Sequence, residues 1–211
     1  MSMFWDILDQ SRRNILPELA GLVDGFYLAG GTGLALQLGH RESLDFDFFT
    51  QSRFDNQELW KKVGETFRGR VLKIQDEKET LTVEIDQGVK VSFFGYKYGL
   101  VSPLMDTEYI KIASVKDIGC MKLSAVVSRY LFKDYVDLYW ILKRVGLAEL
   151  LKSNQAKHPD LDTNLVLKSL VYFDDVVPEP ILFRNGMEVS FGELKEFLRK
   201  AVVEFENPAR K

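Results

Sequence analysis

Two glycines and two aspartates in the segment FYLAGGTGLALQLGHRESLDFDFF, residues 26–49, have types and spacing that suit phosphate chemistry. Gly30-Gly31 leads directly into a helical pattern, and the free N–H groups at the start of a helix bind phosphate oxygens. Asp45 and Asp47 are two residues apart, so on a strand their carboxylates point to the same face. Carboxylates are ligands that Mg²⁺ prefers, while water and phosphate fill its other positions. The segment therefore predicts a site where a metal-bound polyphosphate rests against a glycine turn.

Each half of this pattern also has a purely structural interpretation. Gly-Gly between a strand and a helix is most often only a turn, and an Asp-x-Asp triplet most often lies on a solvated edge strand. Phe46, Phe48 and Phe49 count against an edge strand, because a strand that faces water seldom carries so many aromatic residues. In the preceding loop, Arg41 either contacts a phosphate or braces a carboxylate, and both alternatives stay open. We interpret His40 as structural.

A second pattern lies in the segment MKLSAVVSRYLFKDYVDLYWIL, within a helix predicted over residues 114–143. If that helix is unbroken, a rotation of about 100° per residue places four charged residues on one face. These residues are Lys122, Arg129, Lys133 and Asp137. Such a face could grip a triphosphate, or it could be a solvated face with one Lys133–Asp137 pair. Tyr135, Tyr139 and Trp140 could stack on a base, although their helical spacing is more typical of a core.

The elements that must position these residues are predicted from hydrophobic periodicity. Predicted helices cover residues 3–20, the stretch from about Thr32 to Gly39, and residues 55–67, 114–143, 147–153, 161–172 and 191–205. Predicted strands cover residues 26–29, 44–49, 70–75, 80–86 and 89–96, the last two as a hairpin around Gln87-Gly88. The predicted fold class is α+β, a small mixed β-sheet with packed helices followed by a C-terminal helical bundle. We expect a boundary near residues 99–113, with an α/β domain at 1–100 and a helical domain at 101–211.

Composition excludes several classes of protein. The chain has 211 residues, of which 46% are hydrophobic and 28% charged, as expected for one large domain or a domain with a helical extension. Its net charge of −3 provides no global basic field for nucleic acid. The single Cys120 excludes an internal disulfide, and two histidines are too few for a typical zinc centre. No signal-peptide or membrane-span pattern occurs, so we expect a cytoplasmic protein.

The two patterns together resemble a known family. Gly30-Gly31, thirteen intervening residues and then Asp45-Phe46-Asp47 resemble the signature of the DNA polymerase β-like nucleotidyltransferase superfamily. Within it, AGGTGLALQLGHRESLDFDFF is similar to the AbiEii/AbiGii group of type IV toxin–antitoxin nucleotidyltransferases, with its Gly-Gly-Thr, leucine-rich helix, His-Arg-x-Ser and Asp pair. The second segment resembles a later motif of that group, which has a Lys, an Arg and Lys-Asp-x-x-Asp. The resemblance covers roughly residues 26–142.

The resemblance implies an activity and a set of site residues. It implies transfer of a nucleoside monophosphate from a nucleoside triphosphate to an acceptor hydroxyl, such as the 3′ end of a tRNA. The implied catalytic residues are Asp45, Asp47, Lys122 and Asp137, and the two residues implied to hold Mg²⁺, or alternatively Mn²⁺, are Asp45 and Asp47. The implied nucleotide-binding residues are Gly30, Gly31, Thr32, Arg41, Ser43, Arg129, Lys133 and Asp134. A cognate antitoxin encoded nearby is the implied partner.

One feature of the superfamily is not found in this sequence. A third carboxylate usually lies on a later strand, and the best-matched position in VKVSFFGY holds Ser92. Glu84 and Asp86, on the preceding strand, are alternatives. The departure keeps three hypotheses open, which are an active transferase, a nucleotide-binding or partner-binding module without turnover, and a purely structural interaction domain.

Overall fold

A computed structural model describes residues 3–207 of the chain. Eight α-helices follow a short 3₁₀ helix at Trp5–Ile7 within that range. The helices are α1 (Gln10–Ala20), α2 (Gly30–Leu38), α3 (Asn56–Thr66), α4 (Val115–Ser128), α5 (Phe132–Val145), α6 (Leu147–Lys157), α7 (Thr163–Val171) and α8 (Phe191–Glu206). None of these described helices is long and apolar enough to cross a membrane.

The strands form one seven-stranded mixed sheet in the order β3-β4-β5-β2-β1-β7-β6. They are β1 (Tyr27–Leu28), β2 (Phe46–Thr50), β3 (Val71–Glu77), β4 (Thr80–Ile85), β5 (Val89–Gly95), β6 (Met105–Asp106) and β7 (Lys111–Ile112). The pairs β2–β5 and β1–β7 are parallel, and the other neighbours are antiparallel. This mixed sheet with packed helices confirms the predicted fold class.

The two faces of the sheet have different surroundings. Phe46 and Phe48 of β2 are fully buried with Phe93 of β5, in a core that also holds apolar residues of α1 and α3. Asp47 lies between the two phenylalanines and therefore faces the other way, as the alternation along a strand requires. Strand β2 has β1 and β5 as neighbours, so the edge-strand interpretation is wrong.

A second core joins α2 to the helices from α4 onward. Tyr135 and Tyr139 of α5 are buried in it, so these rings are core residues and offer no stacking surface. Cys120 is also fully buried there, as its apolar helical pattern indicates.

The prediction of a single helix over residues 114–143 is wrong, because the chain leaves the helical conformation between α4 and α5. Arg129 (φ −154°, ψ 150°) and Leu131 (φ −80°, ψ 124°) are both extended. No glycine or proline marks the break. Arg129 instead donates a hydrogen bond to the buried carboxylate of Asp134, at a distance of 2.8 Å from Nε to Oδ2. The shared helical face therefore does not exist, and any meeting of these charges must come from packing of α4 against α5.

Two smaller differences concern boundaries. The predicted strand at 44–49 begins at Phe46, so Leu44 lies outside the alternation and is 49% exposed instead of facing the core. Strands β6 and β7, past residue 100, pair within the same sheet as the earlier strands. The division into residues 1–100 and 101–211 stays a prediction.

Candidate active site

An open cleft of about 770 Å³ lies over the face of the sheet that carries Asp47. Its walls come from the start of α2, the loop before β2, strands β4 and β5, α4, and an irregular segment at residues 179–182. Of the predicted site residues, nine line this cleft, namely Gly30, Gly31, Arg41, Ser43, Asp45, Asp47, Lys122, Arg129 and Lys133. The other three, Thr32, Asp134 and Asp137, lie behind the cleft wall and act through residues that line it.

Asp45 and Asp47 face the cleft as a pair of carboxylates without cationic partners. Within residues 3–207, no hydrogen bond or ion pair reaches either side-chain carboxylate. Burial, and then the negative charge of Asp45, raise the pKa of Asp47, although Lys122, Lys90 and Lys133 act in the opposite direction. Two half-buried carboxylates that repel each other are a favourable place for a cation.

The glycine turn permits close approach of the side chains that surround it. Gly30 has a φ of +63°, and a Cβ there would lie 2.9 Å from Oδ2 of Asp47. A Cβ at Gly31 would lie 2.6 Å from Nη2 of Arg41 and 2.9 Å from Oγ of Ser43. Ala29 provides no side-chain cap, so the first N–H groups of α2 receive no hydrogen bond from the side chain at that position. The turn places a helix N-terminus directly beside the acidic pair.

Thr32 is buried in the first turn of α2 and contributes indirectly. Its hydroxyl donates to the backbone carbonyl of Asp45 and lies 2.9 Å from Oγ of Ser43. These bonds tie the helix start to the loop before β2. Thr32 thus fixes the position of Asp45 relative to the glycine turn.

A buried ionic network forms the wall opposite the sheet. Nζ of Lys122 lies 2.6 Å from Oδ1 of Asp134 and 2.6 Å from Oδ2 of Asp137. Arg41 donates to both oxygens of Asp137, at 2.7 Å from Nε and 2.8 Å from Nη2. Arg129 binds Asp134 from the cleft side and keeps its side chain 53% exposed. Packing of α4 against α5 thus brings together the charges that an unbroken helix was expected to align.

Asp137 is the centre of this network. Burial alone would raise the pKa of Asp137, but Arg41 and Lys122 outweigh burial and hold the pKa well below its usual value. For Arg41, burial acts to lower the pKa, yet Asp137 raises it overall. Arg41 therefore braces a carboxylate, which is the second of the two alternatives considered for it. Its Nη2 also borders the cleft at Gly31.

His40 is structural, as interpreted from the sequence. Burial lowers its pKa despite the neighbouring Asp137, so the ring is neutral near pH 7. Its Nε2 lies 2.9 Å from Oδ1 of the ionised Asp137 and donates to it. Its Nδ1 has no hydrogen-bond partner among the described residues.

The sequence predicts Ser92 as the best match to the position of the absent third carboxylate. Ser92 lies opposite Asp47 in the parallel register of β2 and β5, and it lines the cleft. The two alternatives do not line the cleft: Glu84 lies opposite Lys90 in the register of β4 and β5 without an ion pair to it, and Asp86 binds Arg70 at the surface.

Three features of the cleft were not identified from the sequence. Lys90 lines it from β5, two residues before Ser92, and the alternation in VKVSFFGY was the signal that could have found it. Phe49, Phe94 and Tyr96 form an aromatic wall, with ring centroids 5.2 Å (Phe49–Phe94) and 5.7 Å (Phe49–Tyr96) apart. Glu179 enters from the segment between α7 and α8, which carries no periodic signal.

Comparison with known proteins identifies relatives over most of this chain. A family model described as nucleotidyl transferase AbiEii toxin, type IV TA system, matches residues 15–206. An uncharacterised protein of Aquifex aeolicus (strain VF5) is 37% identical over 206 residues, covering 94% of this chain and 97% of that protein.

Solved structures share the fold at low sequence identity. The nucleotidyltransferase toxin MenT4 of Mycobacterium tuberculosis H37Rv superimposes with a TM-score of 0.62 at 18% identity, covering 93% of this chain and 82% of that chain. The antibiotic-resistance factor ANT(2″)-Ia gives a TM-score of 0.52 at 10% identity, covering 71% and 92%. The family match spans most of the sequence, and the chain belongs to the AbiEii family of nucleotidyltransferase toxins of type IV toxin–antitoxin systems.

Proposed function

We propose that this chain transfers a nucleoside monophosphate from a nucleoside triphosphate to an acceptor hydroxyl, in a reaction that depends on Mg²⁺. The observation that carries the proposal is the unpaired Asp45–Asp47 pair, which lies beside an uncapped helix N-terminus in one cleft. The family supports the class of reaction. The acceptor, for which we propose the 3′ end of a tRNA, rests on the family resemblance alone.

The residues present fit a divalent cation. Asp45 and Asp47 supply oxygen ligands, and burial together with the negative charge of Asp45 raises the pKa of Asp47. These two residues would hold the ion, which when bound neutralises phosphate charge and orients the reacting groups. Mn²⁺, another hard cation, is the alternative ion at the same oxygens.

The remaining residues bind and orient the nucleotide. The N-terminus of α2 at Gly30 and Gly31 has no side-chain cap and would bind phosphate oxygens, because the dipole of the helix favours negative charge there. Lys133 lines the cleft without an ion pair in the described part of the chain, so its ammonium group is available to the triphosphate. Lys122 stands between two carboxylates, which leaves one N–H donor for the cleft side. The acceptor hydroxyl attacks the α-phosphate, and pyrophosphate leaves.

The test is label transfer from each of the four α-³²P nucleoside triphosphates to total tRNA, with and without Mg²⁺. We expect transfer by the wild type, none by Asp47→Asn, and wild-type transfer by Asp106→Asn, which lies exposed outside the cleft. Because the Asp47 carboxylate is repelled by Asp45, Asp47→Asn is expected to be at least as stable as the wild type. Absence of Mg²⁺-dependent transfer with every nucleotide would contradict the proposal.

The toxin family also implies a cognate antitoxin, which we propose is encoded next to this chain. We further propose that the protein acts in the cytoplasm, where nucleoside triphosphates and tRNA are found. Co-expression with the neighbouring open reading frame tests the first point, since it should relieve growth arrest caused by the toxin alone.

A further inference from the structure

We propose that this cleft binds a single divalent cation with the nucleotide, and that Lys90 and Ser92 occupy the region where a second cation would need a carboxylate. The inference rests on the proposed function, because it assumes a cation at Asp45 and Asp47. It concerns the number of ions and the residues of this chain that set that number.

The first argument is the supply of acidic ligands. Four acidic residues line the cleft, but Glu42 is paired with Arg184 at 3.2 Å. Glu179 is exposed on the segment between α7 and α8, where its charge acts on Arg41. Among residues 3–207, no group of three or more acidic, histidine or cysteine side chains could hold an ion. Only Asp45 and Asp47 remain, whereas paired cations about 3.5–4 Å apart share and divide a larger set of ligands.

The second argument is the chemistry of Ser92. It lies opposite Asp47 in the register and is only 2% exposed. Its hydroxyl accepts a hydrogen bond from Oγ1 of Thr82 at 3.2 Å. A neutral hydroxyl in this position adds no negative charge beside Asp47, so it does not attract a second ion.

The third argument is the charge of Lys90. Lys90 precedes Ser92 by two residues on β5, so both side chains lie on the cleft face of the sheet. Its ammonium group makes no ion pair in the described part of the chain, and its charge acts on Asp47. One divalent cation balances the charge of the two aspartates, and the ammonium group of Lys90 opposes the binding of a second ion beside them.

Mn²⁺ provides the test, because its electron paramagnetic resonance spectrum both counts ions and detects pairs. The protein is titrated with Mn²⁺ in the presence of the α,β-methylene analogue of each of the four nucleoside triphosphates in turn. Binding by the analogue alone is subtracted. We expect one Mn²⁺ per chain for the wild type, with the spectrum of an isolated ion.

Substitutions at Ser92 test its role directly. Ser92→Asp is expected to bind a second Mn²⁺, and the dipolar coupling between two ions about 3.5–4 Å apart should broaden the spectrum. Ser92→Asn is the matched control, because asparagine has nearly the same size as aspartate but carries no charge. This variant should still bind one ion. If the buried Ser92→Asp fails to fold, the exposed Lys90→Glu takes its place, since it removes the repulsion and adds a carboxylate on the same strand.

The outcomes separate this inference from the proposed function. Two coupled Mn²⁺ ions in the wild type would overturn the inference and leave the proposed function intact. A folded Ser92→Asp, or Lys90→Glu in its place, that still binds one ion would also overturn it. Absence of Mn²⁺ binding with all four analogues would overturn the inference and the metal site of the proposed function together.

Discussion

Replacement of Asp137 by asparagine removes one negative charge from the centre of the buried network and changes almost nothing in size. Asp137 is fully buried and accepts from Arg41 and His40, and Nζ of Lys122 lies 2.6 Å away. An amide cannot balance the guanidinium or the ammonium group. Two buried cations are therefore left with reduced compensation, and we expect both stability and activity to fall.

The size of the stability loss follows from the burial of the pair. Removal of one partner from a buried ion pair costs about 3–5 kcal/mol, which is a large part of the roughly 5–15 kcal/mol that stabilises a typical domain. At roughly 2–4 °C per kcal/mol for a chain of this length, the melting temperature should fall by roughly 6–20 °C. An Arg41→Gln/Asp137→Asn double variant should be more stable than the sum of the single losses predicts, because it removes the uncompensated guanidinium.

Activity separates this network from an ordinary buried pair. Asp117→Asn is the matched control, since Asp117 and Lys157 form a fully buried ion pair, 3.0 Å from Nζ to Oδ1, that does not line the cleft. Both variants should lose comparable stability. Only Asp137→Asn should also misplace Lys122 and Arg41, and misplacement of such groups lowers kcat/KM by on the order of 100-fold.

Urea denaturation followed by circular dichroism measures the free energy of unfolding, and label transfer to tRNA at a temperature where both variants are folded measures activity. Two results would refute the reasoning. One is a stability loss below about 1 kcal/mol for Asp137→Asn, the range of a surface pair. The other is an equal loss of activity in Asp117→Asn, which would make the effect on catalysis a general result of destabilisation.

Three further predictions concern the turn, the cleft cations and pH. Gly30→Ala should lower the free energy of unfolding by about 1–2 kcal/mol because of the positive φ. It should also abolish label transfer, because its Cβ would lie 2.9 Å from Oδ2 of Asp47. Near-wild-type transfer would contradict this prediction. Lys133→Met should raise the KM for the nucleoside triphosphate about 10-fold or more, because a charge-assisted contact is lost, and it should leave the urea midpoint unchanged. The control Lys61→Met on α3 should change neither the KM nor the urea midpoint. Burial lowers the pKa of His158 from 6.5 to about 4. As the pH falls, the unfolded chain therefore takes up a proton before the folded chain does, and stability declines between these two pH values by at most about 3 kcal/mol. The melting temperatures of His158→Gln at pH 4.5 and 7.5 should differ less than those of the wild type.

The local parts of the site could be predicted from the sequence because they depend on short-range geometry. The period of a strand predicts that Asp45 and Asp47 share one face, and both line the cleft although Asp45 directly precedes β2. The adjacency of Gly30-Gly31 to a helical pattern alone predicts a phosphate-binding turn. The hairpin at Gln87-Gly88 follows from the same kind of local signal, and β4 and β5 pair around it.

The parts that sequence analysis missed depend on contacts between distant segments. The break at Arg129 has no glycine or proline, and it forms because Arg129 and Lys122 both bind Asp134 once α5 folds back on α4. Arg41 reaches Asp137 across 96 positions of the chain, so its two alternatives were equal until the packing was known. Helical periodicity contains no information on such pairings, because it describes a helix without its neighbours.

The contrast between the two acidic pairs supports the proposed location of the active site. Asp134 and Asp137 are buried and fully compensated by cations of the chain, so their negative charges stabilise the wall that presents Lys122. Asp45 and Asp47 form no ion pair within residues 3–207, and burial together with the charge of Asp45 raises the pKa of Asp47. Two carboxylates without ion-pair partners are a favourable place for a cation from outside the chain. The position of this pair, between a helix N-terminus and cleft-lining lysines, is the position that a cation with a polyphosphate would complete.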